Sequence, residues 1–145
     1  MPIVDRRTNQ FIEDKDTRVS VGIDFPFARV PNQDGYFKTT KTTIEAVKNN
    51  IRLLLQTQQG ERVFQNNLGM NIRRFLFEQI TEETAIQIEN DIVDVFELWL
   101  PFVDIVNLEV NTNPAGNNRN KIKIDITFSI RKAPGTLESV TAVLE

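Results

Sequence analysis

Apolar and polar positions alternate most cleanly between residues 121 and 131. Ile122, Ile124, Ile126, Phe128 and Ile130 are interleaved with Lys121, Lys123, Asp125, Thr127, Ser129 and Arg131. A period of two predicts a strand with one buried face, and burying five such side chains at about 1.5–3 kcal/mol each fixes its register. Just upstream, Val103 and Ile105 are followed by Val106, Leu108 and Val110. The change of phase between Ile105 and Val106 predicts a bulged strand. Asn111 to Asn120 reads as a long, Asn-rich hairpin loop between the two. After Pro134-Gly135, the stretch Leu137–Leu144 suits strand or helix, and Val140, Ala142 and Leu144 favour strand.

Helical periodicity occupies the middle of the chain. Thr42 with Glu45 fits a capping box, Ile44, Val47, Ile51, Leu54 and Leu55 form one stripe, and Gly60 closes the segment. A short helix is predicted across Ile72–Phe77, with Phe75, Leu76 and Phe77 plugging the core. Thr81 caps a second long helix, Glu82 and Glu83 complement its dipole, and Ala85, Ile88, Ile92, Val95, Phe96 and Trp99 recur at helical spacing until Pro101. Near the start, Val19, Val21, Ile23 and Phe25 alternate as a short strand stopped by Pro26, and Pro31 to Gly35 is a turn cluster. The pattern predicts an α+β fold: one domain with a mostly antiparallel sheet, two long helices and one short helix. Residues 1–17 read as an extended arm, 18–133 as the folded domain and 134–145 as a tail with strand character.

Composition narrows the chemistry. A length of 145 residues suits one domain that buries about two-thirds of its unfolded surface. There is no Cys and no His, which removes disulfides, thiolate and imidazole catalysis and the commonest zinc ligands. Neither a metal motif nor a Gly-rich phosphate loop occurs, so no cofactor is expected. No apolar run is long enough to span a membrane, and the amino terminus lacks a secretory pattern. The chain reads as a soluble protein made in a reducing compartment or built into something assembled there.

The net charge of −3 gives no basis for nucleic-acid affinity. It conceals a separation. Between Arg74 and Arg119 lie nine acidic residues and no basic one, leaving 17 basic against 11 acidic elsewhere. Two readings stay open, an acidic solvent face and an electrostatically steered contact with a partner.

Carboxylates are the only acid/base material. Glu61 and Glu78 are the candidates for a glycosidase pair, which needs one carboxyl in an apolar pocket. The simpler alternative is structural: Glu61 with Arg62, and Glu78 with Arg73 or Arg74, as ion pairs or caps. Lys121, Lys123 and Arg131 stand opposite the apolar face of the alternating strand. They discourage casual pairing if that strand is an edge, whereas an edge there or in the tail could accept a strand from another chain.

A set of short motifs in order resembles a known family. Gly22-Ile23-Asp24-Phe25-Pro26-Phe27, then Asn50-Ile51-Arg52-Leu53-Leu54-Leu55-Gln56-Thr57, Gly60-Glu61-Arg62-Val63, Leu68-Gly69 and Arg74-Phe75-Leu76-Phe77-Glu78 look like the gene-25-like baseplate wedge family of contractile phage tails. That family has relatives in type VI secretion baseplates. The resemblance covers roughly residues 20–133. It implies a non-enzymatic structural protein of the virion tail baseplate, assembled in the host cytoplasm, present in several copies around a ring and packed against other wedge proteins. It also implies a sheath initiator, whose sheet offers a template to the tail sheath subunit. Members have carried the label tail lysozyme, which makes peptidoglycan cleavage the rival function. Where the family has Glu-Pro-Arg, this chain has Leu100-Pro101-Phe102, and Asn66-Asn67-Leu68 replaces Pro-Asp-Phe. The residues expected to contact partners are Glu61, Arg62, Leu100, Pro101, Phe102, Lys121, Lys123 and Arg131.

Overall fold

The computed structural model describes residues 16, 18–30, 36–78, 81–111 and 121–144. The expected arm at 1–17 (apart from Asp16), the turn at 31–35 and most of the Asn-rich loop lie outside the described residues. The chain forms two compact units, one ending at Ile51 and one running from Arg52. The fold is α+β, with antiparallel sheets and two longer helices.

In the first unit, β1 (Gly22–Ile23) pairs antiparallel with β2 (Thr39–Thr40). Backbone bonds extend the pairing, from Val21 N to the Thr40 carbonyl and from Asp24 N to the Lys38 carbonyl, each 3.0 Å. The strand expected over Val19–Phe25 is therefore much shorter. Val19 and Ile23, read as its apolar face, are exposed, because two paired residues provide no sheet face to cover them. Asp24 organises this unit. Its carboxylate accepts from Lys38 Nζ at 2.7 Å, Asn49 Nδ2 at 3.1 Å and the Phe25 amide at 3.0 Å.

Helix α1 (Thr43–Gln56) begins as its cap predicts, with Thr42 Oγ1 accepting from Glu45 N at 3.3 Å. Val47, Ile51, Leu54 and Leu55 are buried along its stripe. The helix ends at Gln56, ahead of Gly60, with Thr57 Oγ1 donating to the Leu53 carbonyl at 2.6 Å.

The second unit holds α2 (Ile72–Phe75), α3 (Glu82–Trp99) and the sheet formed by β3 (Val103–Asn111), β4 (Ile122–Ile130) and β5 (Ala133–Leu144). Thr81 caps α3 through a reciprocal box with Thr84. Ile88, Ile92 and Phe96 give α3 its buried stripe. Ile72, Phe75 and Leu76 are buried too, but Phe77, expected in the core, is exposed. The cause is geometric: positions 72, 75 and 76 share a helical face, and the next residue turns some 100° away from it.

The sheet order is β3-β4-β5, both pairings antiparallel. The strand with the cleanest alternation is thus central and not an edge. Its five apolar residues are buried, joined on the same face by Val140, Ala142 and Leu144 of β5. The register of β3 shifts between Ile105 and Asn107, opposite Phe128 and Thr127. Val106 is the extra residue and points outward, so Val103 and Ile105 before it and Leu108 and Val110 after it share one face.

Candidate assembly surfaces

The opposite face of the sheet is polar. Asn107, Thr127 and Ser139 lie in register across it, followed by Glu109, Asp125 and Thr141, then Asn111, Lys123 and Val143. Lys123 belongs to this face, where its Nζ pairs with Asp125 Oδ2 at 2.8 Å. Lys121, half-buried, immediately precedes β4. Lys123 guards no edge, because β4 has a neighbour on both sides. The edges among the described strands are β3 and β5. They are unequal: β3 is interrupted near its centre by the bulge, whereas β5 has its register shift near its start, between Ala133 and Glu138, and is regularly paired from Glu138 to Leu144. A bulge twists an edge away from further pairing, so the longer regular edge is that of β5, from Glu138 to Leu144.

At the end of α3, Leu100 N donates to the Phe96 carbonyl at 2.8 Å and the Leu100 carbonyl accepts from Val103 N at 2.9 Å. Leu100 is only 7% exposed, whereas Phe102 is 41% exposed and Pro101 is open to solvent. The Phe102 carbonyl accepts from Arg131 N at 3.0 Å, and Arg131 Nε pairs with Asp104 Oδ1 at 2.9 Å. The structure therefore brings Pro101, Phe102 and Arg131 together at one corner, with Leu100 seating the turn from below.

Glu61 and Arg62 sit elsewhere, in the loop between α1 and α2. Gly60 N bonds the Asn66 carbonyl at 2.8 Å, and Met70 N bonds the Thr57 carbonyl at 2.8 Å. Both glycines of the loop need positive φ, +87° at Gly60 and +109° at Gly69. Glu61, Arg62, Val63 and Phe64 with Leu53 and Thr57 line an open groove of about 620 Å³. Phe64 is 97% exposed, a feature the sequence reading passed over because one aromatic residue in a loop carries no periodic signal.

The carboxylate pair finds no enclosure. Glu61 Oε2 accepts from Gln58 N at 3.2 Å, a cap within its own turn, and both Glu61 and Glu78 are exposed. In place of the expected pairing of Glu78 with Arg73 or Arg74, Arg74 pairs with Asp91 at 3.4 Å, while the Arg74 guanidinium lies over the Phe75 ring. No group of acidic residues suited to a metal ion occurs among the described residues. No described helix is long and apolar enough to cross a membrane. An aromatic group in the first unit carries no sequence signal of its own: Phe27, Tyr36 and Phe37 are exposed, with the half-buried Phe25 against Phe27 and Arg29 over the Tyr36 ring.

Known proteins resemble this chain in sequence and fold. The baseplate wedge protein gp25 of Enterobacteria phage T4 is 28% identical over 97 residues, 67% of this chain and 71% of that protein. A Geobacter sulfurreducens protein described as a tail lysozyme superposes with TM-score 0.63 at 25% identity, over 71% of this chain and 90% of that one. A chain of the anti-feeding prophage baseplate superposes with TM-score 0.64 at 25% identity, over 75% and 83% of the two chains. A chain of a type VI secretion baseplate complex shares the fold, with TM-score 0.54 at 20% identity over 70% and 91%. The profile of the family described as baseplate wedge protein gp25 matches residues 41–135, from the residue before the cap of α1 into the start of β5, and the chain belongs to that family.

Proposed function

We propose that this chain is a structural component of a contractile-tail baseplate wedge that initiates the sheath by offering the free edge of β5 to a strand of the sheath subunit. One observation carries the reading: β5 spans Ala133–Leu144 and, among the described strands, pairs only with β4. An unpaired edge presents alternating backbone donors and acceptors, and each net hydrogen bond to an added strand contributes about 0.5–1.5 kcal/mol. Several such bonds supply affinity with little demand on side-chain identity.

Wedge partners would seat on the corner formed by Pro101, Phe102 and Arg131. Leu100 supports that corner, Glu61 and Arg62 contribute from their loop, and Lys121 and Lys123 flank the template strand. Where the family resemblance implies charged residues around the proline, this chain has a buried Leu100 and an exposed Phe102, so Phe102 makes its wedge contact more apolar. The chain works in a virion baseplate put together in the host cytoplasm, with several copies around a ring. Omitting it from a mixture of wedge proteins and sheath subunits abolishes sheath nucleation on this reading. Unchanged nucleation contradicts it.

A peptidoglycan-cleaving role has one motive, the similar protein described as a tail lysozyme. Acid catalysis by a carboxyl group at neutral pH requires burial that raises its pKa. Glu61 and Glu78 are both open to water, so we read the chain as non-catalytic. Cell-wall release by the wild type that disappears in Glu61→Gln or Glu78→Gln would reverse this assignment.

A further inference from the structure

Helix α3 carries a second line of side chains that the core does not use. An advance of about 100° per residue puts Ile86 and Val93 within roughly 20° of each other, about 110° around the helix from the line of Ile88, Ile92 and Phe96. Ile86 is 57% exposed and Val93 37%, one heptad apart. Glu82 and Glu89 run along one flank of that line, and Glu83, Asp94 and Glu97 along the other. The helix contains six acidic residues and no basic one. A helix built only to face water gains from Glu–Lys pairs four residues apart and from straight-chain residues at exposed positions. Here no such pair exists within α3, and two β-branched apolar side chains stand exposed between the acidic flanks.

We propose that this face of α3 is a seam for a partner protein's amphipathic helix, one with apolar residues at heptad spacing and Lys or Arg on both flanks. Heptad spacing selects a helix, since two helices packed side by side meet once every seven residues along the seam. The flanks select a cationic partner. A second copy of α3 would bring acid against acid, and anionic lipid or nucleic acid would be repelled for the same reason. This contact is separate from the edge of β5, so its failure leaves the strand-addition reading standing.

The test uses the full chain and a synthetic three-heptad peptide with Ile and Leu along its seam and Lys on its flanks. Two control peptides accompany it, one scrambled with the same composition and one with Glu in place of Lys. Titration calorimetry should show saturable binding of the designed peptide, about tenfold tighter than the scrambled one, with none for the Glu peptide. Ile86→Ser with Val93→Ser should weaken binding by about tenfold while leaving the circular dichroism and unfolding midpoint of the chain in place. Glu89→Lys with Asp94→Lys should do the same. Equal binding of the scrambled peptide would reduce the effect to unspecific charge and overturn the proposal. So would absence of binding by the designed peptide, or retained affinity in the Ser double variant.

Discussion

Thr141 Oγ1 donates to Asp125 Oδ1 across 2.6 Å, tying the outermost strand of the sheet to its centre. Lys123 Nζ holds the other carboxylate oxygen, at 2.8 Å. Hydrogen bonds from Lys123 and then Thr141 lower the Asp125 pKa from its ordinary value. A lowered folded-state pKa means that the stabilisation is fully present above the ordinary carboxylate value and is lost as pH falls through the folded value. Thr141→Val should therefore cost about 1 kcal/mol in denaturant unfolding near pH 7, with the difference from wild type shrinking under strong acid. A difference independent of pH would contradict this account of the pair.

Asp24 and Lys38 make a comparable link in the first unit, at 2.7 Å. Their mutual hydrogen bond lowers the Asp24 pKa and raises that of Lys38. The carboxylate's contribution disappears as pH falls through its lowered pKa, and the ammonium's as pH rises through its raised one. Amide exchange at Asp24, whose N–H bonds the Lys38 carbonyl, should be slowest relative to Asp24→Asn between those limits. Equal protection in the variant would remove Asp24 as the organiser of this hairpin.

Gly69 and Gly60 both sit at positive φ, yet their substitution should differ. A Cβ at Gly69 would stand 2.3 Å from the Thr57 carbonyl oxygen, whereas nothing lies within 4 Å of one at Gly60. Gly69→Ala should cost about 3 kcal/mol or more, from backbone strain plus a clash with a carbonyl already bonded to Met70 N. Gly60→Ala should cost about 1 kcal/mol from strain alone. Thermal unfolding of the two variants compares them directly.

Leu100 and Phe102 separate support from contact. Leu100→Ala should lower stability by about 2–4 kcal/mol through the cavity it leaves. Phe102→Ala, at a side chain already 41% exposed, should cost about 1 kcal/mol and act mainly on wedge-protein binding. Measuring unfolding and partner binding for both variants tests the division. The reverse ranking would place Phe102 in the core.

How much of this was legible in the sequence depended on whether the signal was local. The caps at Thr42 and Thr81 and the apolar face of β4 follow from spacing alone, and the displaced residue Val106 from a break in phase. The position of β4 in the sheet did not, because alternation reports which face is buried and not which strands lie on either side. The length of β1 was misread for a related reason: four alternating residues resemble a strand, but pairing needs a partner of equal length, and β2 supplies two residues. The exposure of Phe77 was available from helical geometry, since a third consecutive apolar residue leaves the buried face. At the candidate assembly surfaces, Pro101 was readable as the break that ends α3, but the joining of Phe102 to Arg131 spans nearly 30 residues and required the folded hairpin. Arg74 with Asp91 was likewise a contact between elements.

The central claim concerns the outer edge of β5, and single-residue amide exchange reads it directly. In wedges carrying this chain, alternate amides between Leu137 and Leu144 should be protected by β4 and the others should exchange freely. Addition of sheath subunits should protect the second set, in the same alternating positions, while β3 stays unchanged. Sheath that assembles on these wedges without new protection along β5 would contradict the account.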